Sequence, residues 1–149
     1  MNKEFPELTP REDQEEFLSD WWSSTKLVRG PRQSGKTTMM LAEARRMEQA
    51  GLDVLFCAPL QTTSEYNRKQ YQELFGEYDG IYWKSTTNPE AIRGRLFDAV
   101  IVDNVERSDQ NFWATISPVM PEFVRASANS GTFLPDSIDF DSIYSLSNF

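Results

Sequence analysis

The chain has 149 residues, enough for one domain with a real core and too few for two ordinary ones. Its 39% apolar content and ten phenylalanines exclude a disordered chain, and no apolar run reaches the 18 residues of a membrane span. The formal charge of −8 sits at the ends: residues 1–20 carry seven acids against two bases, 135–149 carry three acids and no base, and 21–134 are neutral, which leaves no global basic surface.

Residues 1–8 read as a flexible lead-in, 9–134 as one domain, and 135–149 as a poorly ordered acidic Ser/Asp tail. Thr9-Pro10-Arg11-Glu12 predicts a helix start, with Thr9 as cap, Pro10 at the first helical position and Glu12 closing a capping box. That helix is expected to reach Trp22, with Phe17, Leu18, Trp21 and Trp22 on its apolar side. A strand follows at Lys26–Arg29, a loop at Gly30–Gly35, and a helix from Lys36 to Ala50. Gly51 is the expected helix stop. Asp53–Ala58 reads as a buried strand ended by Pro59. Thr63–Phe75 reads as a helix with Tyr66, Gln70, Tyr71 and Leu74 along one side, and Ile81–Trp83 as a strand.

A helical turn at Asn88–Gly94 precedes the most apolar strand, Phe97–Val102, which ends in Asp103. A helix over Asp109–Ile116 and a strand over Phe123–Ala126 complete the pattern. Strands alternate with helices, which predicts a mainly parallel sheet with helices on both faces. One cysteine, Cys57, excludes an internal disulfide, and the absence of histidine removes a Ser-His-Asp triad and a histidine metal site. No secretory or membrane signal is visible in the sequence, so the cytoplasm is the expected compartment.

Gly30-Pro31-Arg32-Gln33-Ser34-Gly35-Lys36-Thr37, followed by Thr38, fits the Walker A pattern G-x-x-x-x-G-K-[ST] between a predicted strand and a predicted helix. Such a loop wraps its amides around a phosphate where glycines permit close approach, and the helix N-terminus adds partial positive charge. Lys36 is expected on the β- and γ-phosphates of ATP and Thr37 on Mg²⁺. Asp103, at the end of a buried strand, is the expected second holder of the Mg²⁺ shell. The residue after it is Asn104, whose amide can position water but cannot take its proton. Glu106 is the candidate water-activating carboxylate. The competing reading is a nucleotide-binding module with little hydrolysis.

The order of a Gln-bearing N-terminal helix, the phosphate loop, Ala58-Pro59, Arg93-Gly94-Arg95, Val100-Ile101-Val102-Asp103 and Ser127-Ala128-Asn129 resembles the ATPase domain of viral large terminase subunits. It is also similar to the first motor domain of superfamily 2 helicases. The resemblance covers roughly residues 8–134. It implies a RecA-like P-loop NTPase with an additional strand, ATP and Mg²⁺ as cofactors, and double-stranded DNA as the polymer moved. It implies a hydrolytic or phosphate-sensing role for Arg32, adenine reading by Gln14, and coupling of phosphate state to movement by Ser127, Ala128 and Asn129. Thr62, Thr63, Arg93 and Arg95 become candidate nucleic-acid contacts, whereas Arg45 and Arg46 read as a solvated helix face beside Glu43 and Glu48. The terminase nuclease domain and the second helicase domain have no counterpart in this sequence, so a homo-oligomer or a partner subunit is expected to supply a missing arginine or domain. A P-loop small-molecule kinase is disfavoured by the Asp103 pattern and by the lack of an arginine-rich lid.

Overall fold

The computed structural model describes residues 10–31, 35–76, 80–86, 96–107, 112, 121–129 and 140–146. Six parallel strands form one sheet in the order β3-β2-β4-β5-β1-β6. They are β1 (Thr25–Gly30), β2 (Val54–Ala58), β3 (Ile81–Ser85), β4 (Ala99–Val102), β5 (Phe123–Asn129) and β6 (Ser142–Ser145). Three helices are described: α1 (Glu12–Ser19), α2 (Lys36–Gln49) and α3 (Gln61–Phe75). The predicted helix over 109–116 and turn over 88–94 fall largely or wholly outside the described residues.

Strand alternation builds two apolar layers. Val28, Val54, Phe56, Ala99 and Ile101 face one side, where they meet Phe17 and Leu18 of α1, Met39, Met40 and Met47 of α2, and Tyr71 and Phe75 of α3. Leu27, Leu55, Cys57, Val100, Val102, Val124 and Ala126 face the other, covered by Val105 and by Phe112, which is helical. Cys57 is wholly buried, and burial pushes its thiol well above the ordinary range. This cysteine is a core residue, not a nucleophile.

Strand β5 lies between β1, which feeds the phosphate loop, and β4, which ends at Asp103. Val28 is in register with Ser127, and Val102 with Ala126. The sheet therefore carries the additional strand, and that strand delivers Ser127 to the gap between loop and acid.

Four local expectations are corrected. Helix α1 is shorter than predicted. Its cap is Arg11, whose N–H donates to Gln14 Oε1 at 2.9 Å, and Thr9 lies outside the described residues. The helix stops at Ser19 because Asp20 turns its carboxylate onto Ser23, accepting from its N–H at 3.1 Å and from its hydroxyl at 2.7 Å. Trp21 and Trp22 are thereby thrown into solvent at 63% and 65% exposure instead of joining the core.

On α3 the buried stripe is Ser64, Asn67, Tyr71 and Phe75, and Tyr66 is exposed. That helix begins at Gln61 after Leu60, so Thr62 and Thr63 belong to its first turn and do not cap it.

The segment read as a tail contributes an edge strand. Strand β6 pairs with β1 from Lys26↔Ser142 to Arg29↔Ser145. Tyr144 supplies the anchor: its ring packs edge-on against Phe17 at 5.6 Å and its hydroxyl donates to Asp20 Oδ2 at 2.7 Å. Leu146 is buried beside it. A Ser/Asp-rich composition hides such a strand, because only a few side chains hold it.

The fourth correction concerns charge. Glu43 of α2 is fully buried, and so are Lys26 of β1 and Arg125 of β5. Lys26 Nζ donates to Glu43 and to the carbonyls of Phe17 and Asp20 at 2.6 and 2.5 Å, which closes the C-terminus of α1. Arg125 Nε lies 3.4 Å from Glu43 Oε2, and its Nη1 donates to the carbonyl of Ser23 at 2.7 Å. Arg46 joins the cluster, 3.4 Å from Glu43 and bonded to the Leu18 carbonyl. Arg45 pairs with Glu48 at 3.8 Å. Neither arginine lies on a freely solvated face. Burial lowers the Lys26 ammonium to about 8, although the Glu43 carboxylate opposes the shift. Burial likewise lowers Arg125, again against Glu43.

Candidate functional site

Strand β1 runs into the loop at Gly30, and α2 begins at Lys36. Between them Gly35 adopts φ +87°, a left-handed conformation that side chains resist. A Cβ built there would also meet Gln14 Nε2 at 2.5 Å. Helix α1 thus leans its buried Gln14 against the end of the phosphate loop. Arg32, Gln33 and Ser34 lie outside the described residues.

Lys36 is buried, and its ammonium donates to the carbonyls of Gly30 at 2.6 Å and Pro31 at 2.8 Å. One residue on, Thr37 Oγ1 donates to Asp103 Oδ2 at 2.9 Å, joining the loop to the end of β4 across the intervening strand. Ser127 Oγ donates to the other carboxylate oxygen, Oδ1, at 2.6 Å. The same hydroxyl accepts the N–H of Asn104 at 3.0 Å. Burial pushes the Asp103 carboxyl upward, while Ser127, Thr37, the Lys36 charge and Asn67 pull it back toward the ionised form.

Asn104 has φ +56°, the left-handed region again, and turns the chain sharply after Asp103. A single 3-10 turn, Val105–Arg107, follows, closed by the Arg107 N–H on the Asn104 carbonyl at 3.0 Å. Glu106 sits within this turn; its side chain lies outside the described residues.

A cleft of about 870 Å³ opens at this place. Gly35, Lys36, Thr37 and Thr38 form one wall, and Tyr66, Asn104, Arg107 and Asn129 contribute to the rest. Of the triplet at the end of β5, Ser127 touches Asp103, Asn129 lines the cleft, and Ala128 points the other way into the core. Thr62 and Thr63 do not line the cleft, and Arg93 and Arg95 lie outside the described residues. Tyr66, Asn67 and Arg107 are additions that sequence reading missed. Tyr66 and Asn67 looked like an ordinary helix, and Arg107 reaches the cleft only through the left-handed Asn104.

The residues fit a hydrated Mg²⁺ held against phosphate. Thr37 and Asp103 place two hard oxygens 2.9 Å apart, and a Mg²⁺ bound to a nucleotide needs only one or two protein oxygens. Among the described residues no cluster of three His, Cys, Asp or Glu side chains could cage a metal by protein alone.

Glycine loop, buried lysine, threonine–aspartate bridge and inserted strand occur together in one parallel sheet. The fold is that of a P-loop ATPase domain. Among solved structures, the large terminase ATPase domain of Thermus phage P74-26 matches with a TM-score of 0.66 at 15% identity, over 80% of this chain and 64% of that one. The UvsW helicase of bacteriophage T4 matches with a TM-score of 0.69 at 10% identity, over 93% of this chain and 60% of that one. The large terminase of a thermophilic bacteriophage, in complex with ADP, matches with a TM-score of 0.61 at 12% identity, over 79% of this chain and 38% of that one. The P-loop domain described here therefore spans under two thirds of each of these three chains. No protein-family model matches the sequence, and no curated protein matches it. No described helix is long and apolar enough to cross a membrane.

Proposed function

We propose that this P-loop domain binds Mg-ATP and hydrolyses it as the motor module of a machine that moves double-stranded DNA, as in viral genome packaging. The observation that carries this reading is the hydrogen bond from Thr37 to Asp103. It joins the two elements that must share one metal ion, although they come from non-adjacent strands. Bound Mg²⁺ would neutralise and orient the β- and γ-phosphates. Lys36 would exchange the carbonyls of Gly30 and Pro31 for phosphate oxygens, a stronger charge-assisted contact. Ser127 holds Asp103 with its carboxylate oxygens fixed, and through the Asn104 N–H it ties the site to the end of β5. Movement of DNA is supported by the likeness to terminase and helicase domains and by nothing in the net charge.

Asn104 supports a second reading. It lines the cleft directly after Asp103, where a carboxylate would be needed to take a proton from water. In that reading the domain holds ATP, hydrolyses little, and acts as a nucleotide-gated DNA-binding or assembly subunit. The test is phosphate release from Mg-ATP by the purified chain, with and without duplex DNA, beside Lys36→Ala. Turnover that needs Lys36 and rises with DNA supports the motor. Tight ATP binding without turnover supports the gated subunit.

A further inference from the structure

The cleft carries a second cation that the reading above does not use. The chain is strongly acidic, yet the cleft wall formed by the described residues holds Lys36 and Arg107 and no carboxylate. Arg107 is rigidly mounted. Asn104 takes the left-handed turn, its N–H is fixed by Ser127 Oγ at 3.0 Å, and its carbonyl accepts the Arg107 N–H at 3.0 Å. Val105, the first residue of the 3-10 turn, is fully buried in the core layer and anchors it from below.

At the far end of this turn the Arg107 side chain is exposed, and among the described residues its guanidinium makes no hydrogen bond or ion pair. A cation held by buried backbone, on a cleft wall whose described lining residues include no carboxylate, is arranged for an anion and not for a structural ion pair. Its turn begins two residues after Asp103, which accepts the bond from Thr37, so it is tied to the same side of the cleft.

We propose that Arg107 binds the terminal phosphate of the nucleotide in cis, making the site discriminate triphosphate from diphosphate. The proposal rests on the nucleotide-binding reading and deepens it. Arg suits the task because its planar fork offers paired donors to phosphate oxygens. The mounting adds a consequence: the turn that senses the phosphate is bonded to Ser127, so its position is linked to that of β5.

The test uses the whole chain with Mg²⁺ and two fluorescent mant-labelled probes, ADP and the non-hydrolysable β,γ-imido analogue of ATP. Arg107→Ala is expected to weaken the triphosphate analogue about tenfold and ADP less than twofold, the size of one lost charge-assisted contact. Arg107→Lys should recover part of the difference, because charge is kept while the fork is lost. Lys36→Ala should weaken both probes. Equal weakening of both by Arg107→Ala, or no change in either, overturns the proposal. So does a loss confined to duplex DNA binding, which would place Arg107 on the polymer. If the unaltered chain binds neither probe, the nucleotide reading falls and this proposal falls with it. If it binds both in a Lys36-dependent way and only the Arg107 pattern fails, the nucleotide reading stands.

Discussion

Gln14 occupies the space that a side chain on Gly35 would need. Its Nε2 lies 2.5 Å from the position of such a Cβ, and Gly35 is left-handed besides. The left-handed backbone is the larger penalty, because the Gln14 amide is the end of a flexible side chain and can shift at small cost. Gly35→Ala is expected to destabilise the fold by about 1–3 kcal/mol and, on the nucleotide reading, to lose nucleotide binding. The double variant Gly35→Ala with Gln14→Ala should recover only part of the stability, because it removes the clash and leaves the dihedral strain. Thermal unfolding of the two variants beside the unaltered chain checks this; full recovery in the double variant would show that backbone strain contributes nothing.

Ser127 serves two partners with one hydroxyl, donating to Asp103 and accepting from Asn104. Ser127→Ala leaves the Asn104 N–H without its acceptor and Asp103 with one hydroxyl fewer. On the motor reading, turnover should fall at least about tenfold, with ATP affinity changed far less. Ser127→Thr keeps the hydroxyl and should restore most of it. A parallel loss of affinity and turnover would reduce Ser127 to a structural part of the strand.

Removing Glu43 strands Lys26 and Arg125 in the core. Glu43→Gln is expected to cost about 3–5 kcal/mol, read as a lower urea midpoint with the slope unchanged. A loss below about 1 kcal/mol would mean that the two cations reach water or other acceptors when Glu43 is absent.

The same cluster sets a pH dependence. Lys26 titrates near 8 in the fold against an ordinary value of 10.5. Between those values the unfolded chain holds the proton that the folded chain has released, so this group makes stability rise with pH. The urea midpoint should gain more between pH 8 and 9.5 in the unaltered chain than in Lys26→Met. Equal gains would show that Lys26 keeps an ordinary affinity for its proton.

At the acid end Asp20 acts in the same sense, again making stability rise with pH. Burial alone would raise it, but hydrogen bonds from Ser23 and Tyr144 outweigh that and bring it to about 2 from 3.8. Its stabilisation is complete above pH 3.8 and is lost as pH falls toward 2. Asp20→Asn should flatten that part of the acid unfolding curve, and an unchanged curve would remove Asp20 from the account.

What could be read from residues alone follows their physics. The apolar runs of β2 and β4 and the spacing of α2 are strong periodic signals, and the loop from Gly30 to Thr37 carries its chemistry in its own pattern. The place of Asp103 at the end of a buried strand was legible because the apolar run stops at it. The place of Glu43 was not, because one acid on a helix looks solvated until a lysine and an arginine from two strands are brought to it. Trp21 and Trp22 misled for the reverse reason: apolarity predicted burial, and a local turn at Asp20 decided otherwise. Strand β6 was hidden because its stability comes from Tyr144 meeting Phe17 and Asp20, partners far away in sequence.

Strand β1 is the earliest described strand in the chain, and both of its neighbours, β5 and β6, come after every other described strand. During synthesis the loop after β1 therefore leaves the ribosome before either of the described strands that flank β1 has been made. Its strand stays unpartnered while β2, β3 and β4 emerge, a long-range closure of the kind that folds slowly. A chaperone has a long interval in which to hold it. On the nucleotide reading, capture on immobilised ATP would select chains whose sheet has closed and leave stalled or truncated ones behind.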